Sequence, residues 1–264
     1  MKIVFRLNYH TVQGQSLWVK ISLKSGGTIV EELLSMRWIN SDQWQTELEL
    51  ASDFELFRYR YVFRQDSNGV ELEEWGGPRT IEPRWPVYIA LDTWRSAGTV
   101  DYAYQTKAFR AVLDNREPHR APFEENHLFQ LSMAAVPEGQ VVCILGNAWE
   151  LGAWDRNRAV LMQETSPNVW SASVQMSDGF DVHYKYGLYD VRLNRLIEVE
   201  QGENRWFYSP KLATEQVTQI KDEAYRRYPH QLFRGAGVAV PIFSLRSKEG
   251  LGVGEFSDLK PLAD

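Results

Sequence analysis

Three observations predict an all-β chain: two immunoglobulin-like antiparallel β-sandwich modules in tandem, followed by the first βα unit of another fold. Short strands that alternate, or are apolar throughout, recur every ~8–12 residues with turn residues between them. The pattern then repeats at an offset of about 125 residues, the sign of a duplicated module. Near the C-terminus the pattern changes to a continuous apolar run, a glycine-rich loop and a helix start.

In the first copy the strands are Ile3–Leu7, Leu17–Ile21, Gln45–Leu50 and Arg58–Arg64, with turns at Ser25-Gly26-Gly27 and Asn68-Gly69. In the second, turns fall at Pro137-Glu138-Gly139 and Ser177-Asp178-Gly179. The match between copies is local and specific. Trp44 lies 35 positions before Arg79, and Trp170 lies 35 before Arg205. Both windows hold an aromatic-basic-aromatic strand, Tyr59-Arg60-Tyr61 and Tyr184-Lys185-Tyr186. Gly14-Gln15 precedes Leu17–Ile21 as Gly139-Gln140 precedes Val141–Leu145. About 85 residues with some seven short strands per copy fit a two-sheet sandwich.

These signals divide the chain at 1–85 (first sandwich), 86–122 (connector), 123–212 (second sandwich) and 213–264. Pro83 to Pro122 holds four of the eleven prolines, and its aromatic residues Trp85, Tyr88, Trp94, Tyr102 and Tyr104 predict a segment packed on the modules. Val217, Ile220, Ala224 and Tyr228 sit at helical spacing before Pro229, so a helix is expected there. Gly237 to Ile242 reads as a buried parallel strand, and Ser257 with Asp258 as a helix start. One βα unit cannot bury its own strand. The chain is therefore expected to continue past Asp264, and residues 235–264 to be poorly ordered or parked on another surface.

With 264 residues, 44% apolar and 24% charged, disorder and a disulfide scaffold are excluded. Ten Trp, twelve Tyr and twelve Phe are a heavy aromatic load, and each ring needs a core or a flat ligand. A net charge of −6 without a basic stripe argues against nucleic acid. The single Cys143, inside Val141–Leu145, reads as a small buried hydrophobe. No signal-peptide core and no run near membrane-spanning length are present, so a cytoplasmic chain without membrane contact is expected.

Catalytic and cofactor signals are absent. The five histidines lack metal-ligand spacing, and no nucleophile elbow occurs. Gly250-Leu-Gly-Val-Gly254 has neither dinucleotide-binding nor Walker spacing. No catalytic residue, metal or cofactor is assigned.

The binding signal lies in Leu145-Gly-Asn-Ala-Trp-Glu-Leu-Gly-Ala-Trp-Asp155, where glycines bracket a turn carrying Trp149 and Trp154. A glucose ring has an apolar face that stacks on an indole and a rim of hydroxyls that needs donors and acceptors. Trp154 would be the platform, with Lys185 and Asn204 as polar contacts. The competing reading makes both tryptophans core anchors.

Leu-Gly-x-Trp, a Tyr-Lys strand, then Glu-x-Glu-x-x-x-Asn-Arg in that order resembles a family 20 carbohydrate-binding module, the starch-binding domain, over roughly 125–210. The resemblance implies that an α-1,4-glucan or maltooligosaccharide stacks between two tryptophans, here Trp154 and the position held by Val199. That departure leaves one platform unless Trp149 or Trp206 substitutes. The family's second site uses a Tyr where Glu138 and Gln13 stand, so none is expected in either copy. The first copy replaces the Leu-Gly-x-Trp turn by Ser22–Gly27, with Arg60 in the Lys place and Pro78 in the Asn place. It offers Trp75 and Trp38 as further candidate platforms. Trp44 and Trp170 are expected in the cores, Trp85 and Trp94 on the connector, and Trp18 in a strand.

Gly235 to Leu259 resembles the opening of the glycoside hydrolase family 77 barrel, the 4-α-glucanotransferases. This implies a truncated (β/α)8 barrel and a retaining transfer of glucan segments, with catalytic acids outside these residues. Two other readings stay open: a non-catalytic glucan-binding or regulatory scaffold, and a protein-interaction pair of sandwiches.

Overall fold

The computed structural model describes residues 1–50, 54, 56–81, 84–97, 125–134 and 136–227. The chain divides into two compact units, Met1–Arg226 and Arg227–Asp264, and every element named below lies in the first. The βα unit expected at 235–264 and the connector from 98 to 122 fall outside the described residues.

The first module comprises β1 (Lys2–Asn8), β2 (Gln15–Ser25), β3 (Thr28–Ser35), β4 (Arg37–Asn40), β5 (Gln43–Glu49), β6 (Leu56–Gln65), β7 (Val70–Glu73), β8 (Arg79–Ile81) and β9 (Val87–Thr93). The second comprises β10 (His127–Ser132), β11 (Gln140–Gly146), β12 (Val160–Leu161), β13 (Gln163–Ser166), β14 (Val169–Val174), β15 (Asp181–Asp190), β16 (Arg195–Val199), β17 (Arg205–Tyr208) and β18 (Gln216–Glu223). The described residues contain no α-helix, only two short 3-10 turns, at Trp149–Leu151 and Arg156–Arg158.

Each module owns one five-stranded sheet, β3-β2-β6-β7 with β8 beside β6, and β12-β11-β15-β16 with β17 beside β15. The duplication is therefore real in three dimensions, strand for strand. The remaining strands form a single eight-stranded sheet, β13-β14-β10-β18-β9-β1-β5-β4, which runs through both modules. At its centre β9 and β18 pair in parallel, from Gln216↔Val87 to Lys221↔Asp92.

The alternation along β9 shows how the modules are joined. Tyr88 and Ala90 pack in the first core, whereas Ile89 and Leu91 pack in the second. Val4 of β1 also enters the second core, and Val217 of β18 enters the first. A strand covered on both faces needs apolar residues at every position, which Val-Tyr-Ile-Ala-Leu supplies. The segment that begins as connector in the sequence thus opens with a central strand.

The same physics corrects the helix expected over 213–228, of which all but Tyr228 lies within the described residues. Gln216–Glu223 is a strand, buried along nearly its whole length. Its Val217 and Ile220 serve opposite cores, so their three-residue spacing imitates a helical stripe. The β-branched Val217, Thr218 and Ile220 suit a strand between two neighbours.

Each sandwich is built around the same buried ionic cluster. In the first, Arg79 donates to both oxygens of Glu74 (3.0 and 2.7 Å) and to Asp92 (2.9 Å), while the Tyr59 and Tyr61 hydroxyls donate to Asp92 (2.8 and 2.7 Å). In the second, Arg205 donates to both oxygens of Glu200 (2.8 and 2.9 Å) and to Asp222 (2.8 Å), which also accepts from Tyr184 and Tyr186 (2.7 and 2.9 Å). Burial and the nearby aspartate hold all four tyrosine hydroxyls well above their ordinary pKa. The aromatic-basic-aromatic signature of the sequence is the visible part of these clusters.

Trp44 and Trp170 are core residues, as expected, with their indole N–H groups held by Thr11 and the Met133 carbonyl. Cys143 is fully buried, and burial pushes its thiol up to about 12, so it packs as a hydrophobe.

Candidate functional site

The turn after β11 is shaped by two glycines for different reasons. A Cβ on Gly146 would lie 2.5 Å from the His183 carbonyl oxygen, so only glycine lets β11 approach β15 this closely. Asn147 extends that ladder with its side chain, accepting from His183 N (2.8 Å) and donating to the Asp181 carbonyl (2.9 Å). Leu151 then drops fully buried into the second core and anchors the 3-10 turn. Gly152 has φ +84, and a Cβ there would stand 2.6 Å from the Arg158 carbonyl oxygen.

Ala153 (φ 50) and Trp154 (φ 63) continue in the left-handed region. A bulky residue there is strained, and the strain is held by the Trp154 N–H bond to the Gly146 carbonyl at 2.8 Å. The result is an indole 38% exposed at the end of the five-stranded sheet. Replacing Gly152 by alanine is expected to destabilise the protein by about 1–3 kcal/mol. Thermal unfolding checks this.

Register brings the polar candidates to the same end of that sheet. Lys185 of β15 lies opposite Leu145, and Tyr184 lies opposite Arg205, so Asn204 follows on beside Lys185. Lys185 Nζ donates to the Gly202 carbonyl at 2.7 Å and so braces the loop that presents the exposed Asn204. Trp206, 49% exposed on β17, stacks on His183 one row away, with centroids 6.5 Å apart. Trp149 is also exposed, and the Arg158 guanidinium covers one of its faces at 3.7 Å. Neither Trp149 nor Trp154 is a core anchor. Val199 ends β16, half-buried opposite Gly187.

The first module has no counterpart of this turn, because β2 and β3 close through a plain hairpin with Gly26 and Gly27 at positive φ. Arg60 repeats the bracing role of Lys185, donating to Glu73 (2.5 Å) and to the Gly76 carbonyl (2.8 Å). Trp75, 48% exposed, sits in the loop so braced. Trp38 is exposed on β4, the edge of the eight-stranded sheet, opposite Trp44. It lies on a different sheet from Arg60, whose strand β6 belongs to the five-stranded sheet. Arg158 and His183 were not singled out by any sequence motif. Arg158 gives its position away only as a basic residue nine places after an exposed tryptophan.

Among the described residues, no group of three or more His, Cys, Asp or Glu side chains could hold a metal ion. None of their helices is long and apolar enough to cross a membrane.

The family described as the starch binding domain matches residues 127–219, the span from β10 to β18. The whole chain is similar to the 4-alpha-glucanotransferase DPE2 of Oryza sativa subsp. japonica, with 29% identity over 289 aligned positions. That alignment covers 99% of this chain and 30% of the rice protein, so the chain spans under a third of its relative. Among solved structures, the glycoside hydrolase family 15 glucoamylase from Hypocrea jecorina shares 25% identity over 42% of this chain and 18% of its own, at a TM-score of 0.34. The family 20 module of the maltotetraose-forming amylase from Pseudomonas saccharophila STB07 shares 22% over 35% of this chain and 97% of its own, at 0.30.

Proposed function

We propose that this chain is the α-1,4-glucan-binding region of a 4-α-glucanotransferase, with the catalytic acids outside these 264 residues. The observation that carries the reading is the left-handed turn Gly152–Trp154, which holds an exposed indole on a backbone bonded to Gly146, next in the chain to the Leu145 that pairs with Lys185. Strain of this kind is kept where a side chain must be presented rather than packed. The match to the starch binding domain and the similarity to the rice enzyme support the same reading.

In it, one ring of a starch, glycogen or maltooligosaccharide chain lies on Trp154, and Asn204 meets its hydroxyls. Lys185 acts by holding the loop. Trp149 and Trp206 are further stacking surfaces, and Arg60, Trp75 and Trp38 belong to a weaker first-module surface. The region works by tethering, raising the concentration of glucan at a linked active site. The parent enzyme is read as a cytoplasmic member of glycoside hydrolase family 77 acting with retention, and residues 235–264 as the first βα unit of its (β/α)8 barrel.

Affinity electrophoresis in soluble starch tests this. The wild type is expected to be retarded, and Trp154→Ala to lose most of the retardation, with Kd weaker by about tenfold or more. Equal retardation of the two removes the Trp154 assignment. No retardation of either, relative to a control protein, overturns glucan binding. One observation favours the protein-interaction reading for the first module: its edge strand β3 exposes Ile29, Val30 and Leu33. A catalytically silent scaffold would show the same gel behaviour without any glucan transfer by the parent protein.

A further inference from the structure

The outer face of the second module's five-stranded sheet carries two large aromatics that the fold does not require. Strand β17 alternates: Arg205 and Phe207 are buried, whereas Trp206 and Tyr208 are turned out, 49% and 46% exposed. Register places Trp206 opposite His183 and Tyr208 opposite Asp181, so the four side chains share one patch of that face. The duplication supplies a control. Arg205 and Tyr184 correspond to Arg79 and Tyr59, so Trp206 and His183 correspond to Thr80 and Arg58, which pair in the same way. The first sandwich therefore stands with no aromatic at either place, and the architecture of the sheet does not account for an exposed indole in the second.

The patch is held still. Arg205, at the start of β17, is locked in the buried ionic cluster. Ser209, just past its end, donates to Asp178 at 2.8 Å, with His127 Nε2 also 2.8 Å away. Arg6 of the first module donates to the Tyr208 carbonyl at 3.3 Å. On the other side of β15, the Asn147 side chain holds the backbone of His183 and Asp181. The polar atoms of the patch are nevertheless unspent. Among the described residues, the Trp206 indole N–H, the Tyr208 hydroxyl, the His183 ring nitrogens and the Asp181 carboxylate have no hydrogen-bond partner. Asp181 is exposed like the two aromatics, and the partly buried His183 keeps its ring nitrogens at the surface.

This chemistry selects among ligands. The Asp181 carboxylate repels an anion, and a wholly apolar ligand would leave all four polar groups unmet. A neutral, hydroxyl-rich sugar ring offers an apolar face to each aromatic and hydroxyls to His183 and Asp181. Trp206 and Tyr208, two residues apart on one strand, stand roughly 7 Å from each other, which suits neighbouring rings of one chain. Trp206 does not stand in for the platform missing at Val199. Val199 pairs with Gly187 and Trp206 with His183, four residues away along β15, or roughly 13 Å.

We propose that Trp206, Tyr208, His183 and Asp181 form a second glucan-binding surface, separate from the Trp154 face, on which neighbouring sugar rings of one chain lie along β17. It rests on the glucan-binding reading above and gives Trp206 a site of its own.

The test is a calorimetric titration of the 264-residue chain with maltoheptaose. It compares the wild type with Trp154→Ala, Trp206→Thr, and Trp154→Ala combined with either Trp206→Thr or Tyr208→Ser. Trp206→Thr installs the residue of the first copy at a half-exposed position, so its melting temperature should hold. Trp154→Ala is expected to retain one binding event. Adding Trp206→Thr should weaken that event by about tenfold or more, and adding Tyr208→Ser by about five- to tenfold. Complete loss of binding in Trp154→Ala alone overturns the β17 surface and leaves the Trp154 face standing. Residual binding that ignores either added substitution also overturns it, since the event then lies elsewhere or on Trp206 alone. A single wild-type event, kept in Trp154→Ala and lost in Trp206→Thr, supports the surface and removes the Trp154 assignment. A wild type that sediments as a dimer and becomes monomeric in Trp206→Thr, with titrations unchanged, makes the patch a contact between copies and overturns the proposal. A wild type that does not bind maltoheptaose overturns both surfaces.

Discussion

Arg79→Met is expected to lower the unfolding free energy by about 3–5 kcal/mol, measured by urea denaturation at neutral pH. The Arg79, Glu74 and Asp92 side chains have no solvent exposure. Burial works against the charge on the guanidinium, but Asp92 and Glu74 outweigh it and hold the Arg79 pKa well above its ordinary value. Methionine fills much of the same space without charge, leaving two carboxylates buried with no cation between them. Tyr59 and Tyr61 still donate to Asp92, yet neither supplies a positive charge. The Thr93 carbonyl, which accepts from Arg79 at 2.7 Å, also loses its donor.

This loss should not stay in the first module. Ile89 and Leu91, on either side of Ala90 and next to Asp92, are part of the second core. Displacing β9 therefore removes apolar contacts from both sandwiches at once. Intrinsic fluorescence and far-ultraviolet circular dichroism should report one coincident transition at a lower midpoint. Two separated transitions, with only the earlier one shifted, would refute the shared-sheet account of the junction. Arg205→Met should behave alike, because Glu200 and Asp222 stand in the same relation to Arg205.

These clusters also mark how far the sequence could be read. The duplication was legible because Tyr59, Tyr61 and Arg79 have counterparts in Tyr184, Tyr186 and Arg205 that do the same structural work. The glycine-bracketed turn was legible too, since Gly146 and Gly152 occupy positions no other residue fits. Strand β18 was not legible. A strand buried on both faces has no polar alternation, and Val217 and Ile220 answer to different cores. Its parallel partner β9 lies far away in the chain, and no local pattern announces such a pairing. That Trp75 and Gln219 line one cleft was hidden for the same reason, since β9 and β18 bring the two modules together in one sheet. Stacking of Arg158 on Trp149 depends on the path of the turn rather than on spacing.

The second large effect belongs to His127. Its imidazole is fully buried at the start of β10, with Nδ1 2.7 Å from Asn126 Oδ1 and Nε2 2.8 Å from Ser209 Oγ. Burial lowers its pKa to about 4 despite the opposing pull of Asp178, 3.7 Å away. In the unfolded chain the same group titrates near its ordinary value of about 6.5. Below that value the unfolded chain takes up a proton that the folded protein refuses. Stability is therefore full above about pH 6.5 and falls as the pH drops towards 4, with a total loss of about 3 kcal/mol from this group.

Acid also weakens the exposed carboxylate pairs, so the informative quantity is the difference between wild type and His127→Gln. Glutamine keeps a polar side chain at the position and cannot take the proton. The wild type should lose about 3 kcal/mol more than His127→Gln between pH 7 and pH 4, followed by urea midpoints. Parallel pH profiles would refute the assignment. A wild type that gains stability relative to the variant in acid would mean that Asp178 outweighs burial and that His127 is charged when folded. Through Ser209 the histidine holds the end of β17, the strand that carries Trp206 and follows Asn204. Retardation in starch gels should accordingly decline below pH 6 in the wild type before it does so in His127→Gln.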